Sequence, residues 1–172
     1  MAVKEILRLG NPGLWKVCIA VKDVGATETK KIILDLKNTL EDFKKKNGFG
    51  RAIAAPQIGI LKRIIYINYP KAKISGALIN PKIIKKSKEK IRVWDDCFSF
   101  PELLVKVERA KEIKVEYLSD DGENQMVTAK GDLSELLQHE IDHLDGILAV
   151  QRAIDGRSIA FKSEWEKYWE KR

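Results

Sequence analysis

The apolar positions of the chain follow a helical period in one early segment. Between residues 29 and 46 they recur three or four positions apart, which predicts an amphipathic helix. The stripe consists of Ile33, Leu36, Leu40 and Phe43. The lysines at 44–46 suit the negative end of a helix dipole, and Asn47-Gly48 is placed to stop the helix. We therefore predict a first helix over residues 29–46.

Short apolar and β-branched runs occupy the middle of the chain and predict strands. These runs are 63–69, 76–84, 103–109 and 111–118. Pro81 indicates an edge position or a break in the second run, because proline cannot donate to a β-ladder. The turn sequence SDDGEN predicts that 111–118 pairs with about 125–129 as a hairpin.

The last third of the chain returns to a helical period. One helix should begin at Asp132, which has capping-box spacing to Glu135, and should end at Gly146. Another should begin at about Ser158, with an aromatic stripe that we expect to pack on the core. That stripe is Phe161, Trp165, Tyr168 and Trp169. Because strands and helices occur in blocks, we predict an α+β fold with antiparallel sheet, as one domain over residues 1–172.

Composition narrows the expected cellular setting. The chain has 172 residues, of which 44% are hydrophobic and 33% charged, enough apolar material for a core. Its two cysteines make no disulfide framework, which favours a reducing compartment. No apolar run is long enough for a membrane span or a signal peptide. We therefore expect a cytoplasmic protein that does not bind membranes.

The charge is strongly positive, with a formal net value of +7. Much of the excess lies in 44–46 and 82–92, and a basic surface can attract nucleic acid. No aromatic residues alternate with these lysines, and no recognised nucleic-acid-binding motif accompanies them. The lysines are therefore expected to form a solvent-exposed surface without a specific ligand. We expect a monomer with at most weak ribosome association and no DNA binding.

The segment QHEIDHLDG, residues 138–146, contains both histidines of the chain. Residues four apart share one helix face, so His139 and His143 can point at one metal ion, with Glu140 beside them to carry a proton. Two histidines held by ordinary hydrogen bonds are the less favoured alternative. An apolar stripe on a neighbouring face predicts a helix buried on one side. This stripe is Leu133, Leu137, Ile141 and Leu144.

A catalytic metal site of this type takes three protein ligands and keeps one open position. Cys97, in the polar segment WDDCFSFPE, is the natural third ligand, whereas Cys18 is more typical of a small core residue. Asp142 is predicted to be an exposed helix residue or a support for a ligand. A Cys-His-His set with an open position predicts hydrolysis by an activated water.

Three segments together resemble the peptide deformylases. They are GRAIAAPQIG at 50–59, DDCFSFPE at 95–102 and QHEIDHLDG, in the order and spacing of that family. The resemblance covers about residues 4–150. It implies antiparallel sheets packed around a central metal-binding helix. It also implies an enzyme that removes the formyl group from formyl-methionyl nascent peptides and releases formate.

The resemblance also implies the site residues. The metal ligands would be Cys97, His139 and His143. Glu140 would be the general base and acid, while the Gln57 side chain and the Phe98 backbone N–H would stabilise the oxyanion. One divalent metal is implied, usually Fe(II), with zinc, nickel or cobalt able to replace it.

Four positions depart from the family pattern. These are Ala52, Asp95, Asp96 and Phe98, where the family has Gly, Glu, Gly and Leu. Asp95 is expected to pair with Arg109, whereas Asp96 adds an acidic group beside a ligand. Two alternatives therefore stay open. One is a deformylase-like hydrolase of another N-formyl or N-acyl amine, and the other is a non-catalytic metal-containing protein that binds RNA or the ribosome. The presence of Glu140 and Gln57 argues against the second.

Overall fold

The structure is a computed structural model that describes residues 2–170. The helices in this range are α1 (Thr27–Asn47), α2 (Asp132–Leu144) and α3 (Lys162–Tyr168). The strands are β1 (Ala52–Ala54), β2 (Ile64–Tyr69), β3 (Ile74–Lys86), β4 (Lys90–Asp96), β5 (Leu103–Ala110), β6 (Glu112–Leu118), β7 (Asn124–Lys130) and β8 (Ile159–Phe161). Within the described residues, no helix combines the length and apolar character needed to cross a membrane.

The strands form two antiparallel sheets. One has five strands in the order β1-β2-β3-β6-β7, and the other has three in the order β4-β5-β8. The predicted hairpin is present as β6 and β7, which pair from Glu112 opposite Lys130 to Leu118 opposite Asn124. The α+β prediction with antiparallel sheet is confirmed.

Pro81 lies inside β3, which is an interior strand and not an edge. Pairing with β2 runs only as far as Ile79, and pairing with β6 shifts register between Ile79 and Lys82. Pro81 therefore sits at a bulge, where its missing N–H leaves no ladder bond unmade. Of the two predicted alternatives, an edge position or a break, the structure has the break.

Helix α2 lies between the two sheets. Leu137, Ile141 and Leu144 pack with residues of the five-stranded sheet in one apolar cluster. On another side, the Gln138 amide bonds both backbone groups of Ala110, at the end of β5, with distances of 3.0 and 2.9 Å. Every residue from Ser134 to Leu144 is buried. The predicted one-sided burial is wrong, because the three-stranded sheet covers the face that carries the ligands.

The C-terminal ends of α1 and α2 agree with the sequence signals that predicted them, whereas the N-terminal end of α2 does not. Gly48 caps α1 in the left-handed conformation with φ of 78°, and Gly146, past the end of α2, has φ of 70°. At the start of α2 there is no side-chain capping bond. The predicted capping box is wrong because the Glu135 carboxylate accepts a hydrogen bond from Arg51 at 2.9 Å instead.

The C-terminal segment differs most from prediction. Residues 159–161 form β8, which pairs with β5 and completes the three-stranded sheet, so the helix starts only at Lys162. Phe161 and Tyr168 are 64% and 66% exposed, and Trp169 is also exposed. Trp169 lies against Trp94, with ring centroids 5.8 Å apart. The aromatic stripe is therefore largely a surface feature, and its predicted packing on the core is wrong.

Candidate metal centre and active site

Two buried segments bring the three predicted ligands together. Cys97 directly follows β4, while His139 and His143 occupy successive turns of α2. Cys97 Sγ lies 3.3 Å from His143 Nε2, which lies 3.2 Å from His139 Nε2. The ligand atoms of all three residues lie within 4.8 Å of one another, and each residue is buried.

These separations fit a tetrahedral metal ion. Typical metal–nitrogen and metal–sulfur bonds at tetrahedral angles place nitrogens about 3.3 Å apart and sulfur about 3.6 Å from nitrogen. The observed 3.2 and 3.3 Å are close to these values. Imidazole and thiolate donors suit a borderline divalent ion such as Zn²⁺ or Fe²⁺. The donor set and its dimensions therefore match a divalent metal centre.

Glu140 follows His139, the first of the two predicted histidine ligands, and is buried. Its Oε2 atom has no hydrogen-bond partner within residues 2–170. Burial raises the pKa of this carboxyl to about 7, against the opposing effect of His139 and Arg51. A buried carboxyl with a free oxygen and a pKa near neutrality is suited to accept and return a proton.

A network of charged side chains contacts His139 on the side away from Cys97 and His143. Asp95 Oδ1 lies 2.9 Å from His139 Nδ1, and Asp95 Oδ2 accepts a hydrogen bond from Arg109 at 3.0 Å. Arg109 also donates to Asp142, whose other oxygen accepts from Arg152 at 2.8 Å. Holding Nδ1 in this way leaves Nε2 of His139 facing the centre.

Two sequence predictions are decided by this network. Asp95 does pair with Arg109, despite its shorter side chain. Burial alone would raise the pKa of Asp95, but His139 and Arg109 outweigh burial and lower it to about 2. Asp142 is buried between two arginines, so the prediction of an exposed helix residue is wrong.

Gln57 lies in a 3₁₀ turn over Ala55–Ile58 that follows β1. Its Oε1 accepts a hydrogen bond from the Ala54 N–H at 2.9 Å, which fixes the orientation of the amide. The amide nitrogen consequently faces the centre, 3.6 Å from Cys97 Sγ and 3.4 Å from Ser99 Oγ. The side-chain N–H groups are therefore positioned to meet negative charge that develops beside the metal site.

Phe98 contributes both backbone and ring. No hydrogen bond from its backbone N–H is formed within the described part of the chain. Its ring stacks on Phe43, with centroids 3.9 Å apart, and meets Phe49 edge-on. The aromatic side chain at this position thus forms part of an apolar wall.

A cavity of about 230 Å³ opens beside these groups. Its lining includes Gln57, Cys97, Phe98, His139 and Glu140. The remaining lining residues are Phe49, Gly50, Arg51, Ala52, Asp96 and Leu136. The cavity thus brings together every residue that the sequence singled out for catalysis and two of the three predicted metal ligands, Cys97 and His139. Cys18 is buried in a separate apolar cluster, as predicted.

Arg51 and Glu135 are the site residues that sequence reasoning missed. Arg51 pairs with Glu135 at 2.9 Å, across 84 positions of sequence, and its guanidinium lies 5.6 Å from the centre of the Tyr69 ring. Carboxylate atoms of Glu135 and Asp95 lie within 4.8 Å of a His139 ring nitrogen. No local pattern links these residues, although an arginine inside an otherwise small, apolar motif is itself an unusual feature.

The family model for polypeptide deformylase matches residues 3–158. The chain belongs to the polypeptide deformylase family. Peptide deformylase 2 of Clostridium perfringens is 39% identical over 153 residues, which cover 89% of this chain and 94% of that protein. The peptide deformylase of Desulfitobacterium hafniense is 40% identical over 155 residues, which cover 89% of this chain and 96% of that protein.

Solved deformylase structures have the same fold. The Thermotoga maritima enzyme superposes with a TM-score of 0.81 at 32% identity, covering 90% of this chain and all of that one. The Ehrlichia chaffeensis enzyme in complex with actinonin superposes with a TM-score of 0.82 at 30% identity, and the superposition covers 92% of each chain. The leading prediction is confirmed: this deformylase is a metal-binding hydrolase that removes the N-terminal formyl group from nascent peptides.

Proposed function

We propose that Cys97, His139 and His143 hold one divalent metal ion, that Fe(II) occupies the site in the cell, and that zinc, nickel or cobalt can replace it. The observation that supports this proposal is the ligand triangle, with separations of 3.2 and 3.3 Å between adjacent donors. When bound, the ion supplies a Lewis acid that activates a water molecule for attack on the formyl carbon.

Glu140 is the proton carrier of the reaction. Its unpartnered Oε2 is available to the attacking water, and its pKa of about 7 lets it take a proton and later release it. The same carboxyl then protonates the departing amine, so that formate and a free N-terminus are the products. No second acid is needed, because the proton removed from water is the proton that the amine requires.

Gln57 and Phe98 stabilise the charge that forms on the formyl oxygen. The Gln57 amide is held by the Ala54 N–H, so it does not reorganise as charge develops. The Phe98 N–H is a second donor because no acceptor within residues 2–170 uses it. Gln57→Ala should lower kcat by roughly 10²-fold or more, with little change in metal content.

The substrate is an N-formylated nascent peptide that enters the 230 Å³ cavity. Gly50 and Ala52 on its wall let a peptide backbone approach closely. We place the enzyme in the cytoplasm as a monomer. The lysines near the β3–β4 turn are largely exposed, which supports only a weak, salt-sensitive association with the ribosome.

The decisive experiment combines metal analysis with formate release by anaerobically purified protein. Cys97→Ala should lose most of its metal and its activity, whereas the matched control Cys18→Ala should keep both. Full metal occupancy in Cys97→Ala would contradict the ligand assignment. Metal identity follows from elemental analysis. If iron is active, activity should decay in air and persist longer after nickel or cobalt substitution.

Glu140→Gln separates chemistry from binding. The substitution keeps size and hydrogen bonding but cannot accept the proton, so turnover should fall roughly 10²-fold or more while metal and fold are retained. Near-normal turnover in this variant would exclude Glu140 as the base.

A further inference from the structure

Asp96 places a carboxylate on the wall of the active-site cavity, one residue before the ligand Cys97. It is only partly buried, whereas Cys97, His139 and Glu140 are buried, so it lies nearer to solvent than the reacting groups do. No hydrogen bond or ion pair of its side chain is formed within residues 2–170. This charge is therefore available to a ligand.

Arg51, a cation that interacts with Asp96, already has a hydrogen-bond partner. Arg51 donates to the buried Glu135 at 2.9 Å and lies over the Tyr69 ring. Burial lowers the pKa of Arg51, but Glu135 first and Asp96 second reverse that effect and raise it, so Asp96 is close enough to interact electrostatically. Arg51 thus faces two carboxylates, Glu135 and Asp96, and its hydrogen bond is made to Glu135, so its single positive charge does not neutralise both.

Lys162 is a second cation near the cavity. Its Nζ lies 5.1 Å from the centre of the Phe49 ring, and Lys162 itself does not line the cavity. Phe49, Phe98 and Leu136 give the cavity part of its apolar lining. Of the two carboxylates that line the cavity, Glu140 is buried, so Asp96 is the one placed to meet a charged side chain from solvent.

Substrate chemistry defines which part of the peptide meets this charge. The formyl group must reach the buried ligands, and each further residue of an extended chain lies about 3.3–3.6 Å farther out. We infer that the side chain after the formylated methionine lies outside the buried part of the cavity, at the depth of the partly exposed Asp96.

We propose that Asp96 is a specificity-determining residue that favours formyl-methionyl peptides with a lysine or arginine directly after the methionine and disfavours those with an acidic residue there. This proposal rests on the deformylase function proposed above. A partly exposed charge pair has a modest effect, so we expect a difference of about tenfold or less in kcat/KM between basic and acidic substrates at low salt.

The test uses three C-terminally amidated peptides, formyl-Met-Lys-Ala, formyl-Met-Gln-Ala and formyl-Met-Glu-Ala, at constant pH. Wild-type protein should show kcat/KM in the order Lys, Gln, Glu, with the spread reduced at 0.5 M salt because screening acts on exposed charges. Asp96→Asn keeps the shape of the side chain and removes its charge, so it should bring the three values within about twofold.

Asp121→Asn is the matched control, because Asp121 is an exposed aspartate in the β6–β7 turn and does not line the cavity. It should keep the wild-type order. Equal values on all three peptides in wild type, a spread that ignores salt, or the same spread in Asp96→Asn would each overturn the proposal. Absence of formate from all three peptides would instead refute the deformylase function. If Asp96→Asn does not fold, the salt response of wild-type protein decides.

Discussion

Gly146 should be among the least replaceable residues outside the metal ligands. A Cβ atom at this position would lie 2.5 Å from the Trp15 carbonyl oxygen and 2.8 Å from its carbon, both backbone atoms that cannot rotate away. Gly146 also has φ of 70°, which costs a non-glycine residue about 1–2 kcal/mol. Overpacking against fixed backbone adds about 1–3 kcal/mol. Gly146→Ala should therefore lower the free energy of unfolding by about 2–5 kcal/mol.

Two other glycines distinguish the cost of the positive φ from the cost of the contact with Trp15. Gly48 also has positive φ, at 78°, but an added Cβ meets nothing within 4 Å, so Gly48→Ala should cost only the conformational term of about 1–2 kcal/mol. Gly156 has neither strain nor neighbours, and Gly156→Ala should be neutral or slightly stabilising. Urea unfolding of the three variants gives the comparison. Equal losses for Gly146→Ala and Gly48→Ala would refute the argument from the Trp15 contact.

Three further predictions concern charges and the second cysteine. Arg109→Met should lower the free energy of unfolding by about 3–5 kcal/mol in urea titrations, because the buried carboxylates of Asp95 and Asp142 lose their shared partner. Burial raises the pKa of Cys18 to about 11 from 9.0. The raised value means that the buried thiol stabilises the fold below pH 9 and loses this effect as pH rises through 11. Wild type should thus lose stability faster than Cys18→Ala over this range. Replacing the lysines at 85, 86 and 88 should change ribosome cosedimentation little at physiological salt. A large loss of cosedimentation would show that these lysines bind the ribosome tightly.

Sequence patterns were most informative where local chemistry alone decides the outcome. The first helix was predicted over 29–46 and spans Thr27–Asn47, because its apolar stripe and its terminal Gly48 are both local signals. The β6–β7 hairpin likewise follows from its turn and alternation. The helical repeat alone predicts that His139 and His143 lie on one face, and the polar context of Cys97, unlike that of Cys18, predicts that it joins them, as the cluster of the three side chains shows.

Contacts between distant residues could not be predicted in this way. The Arg51–Glu135 pair spans 84 positions, and the Gln138 bonds to Ala110 span 28. These contacts decide that Glu135 does not cap its helix and that α2 is buried on all sides. The short strand β8 has helix-compatible composition, and only the open edge of β5 gives it another partner. Non-local pairing thus overrode local preference at each of these places.

The three proposed ligands lie on two separate elements, so the affinity for a metal ion should depend on how the two sheets pack together. Cys97 is carried by the three-stranded sheet, whereas both histidines are carried by α2, which packs on the five-stranded sheet. A bound ion would therefore act as a cross-link between the two sheets, and an unfolded chain could not reproduce its geometry. Substitutions that loosen the contact between α2 and β5, such as those at Gln138, should weaken metal retention before they unfold the protein. The ion in turn should protect the fold in proportion to its free concentration relative to its dissociation constant.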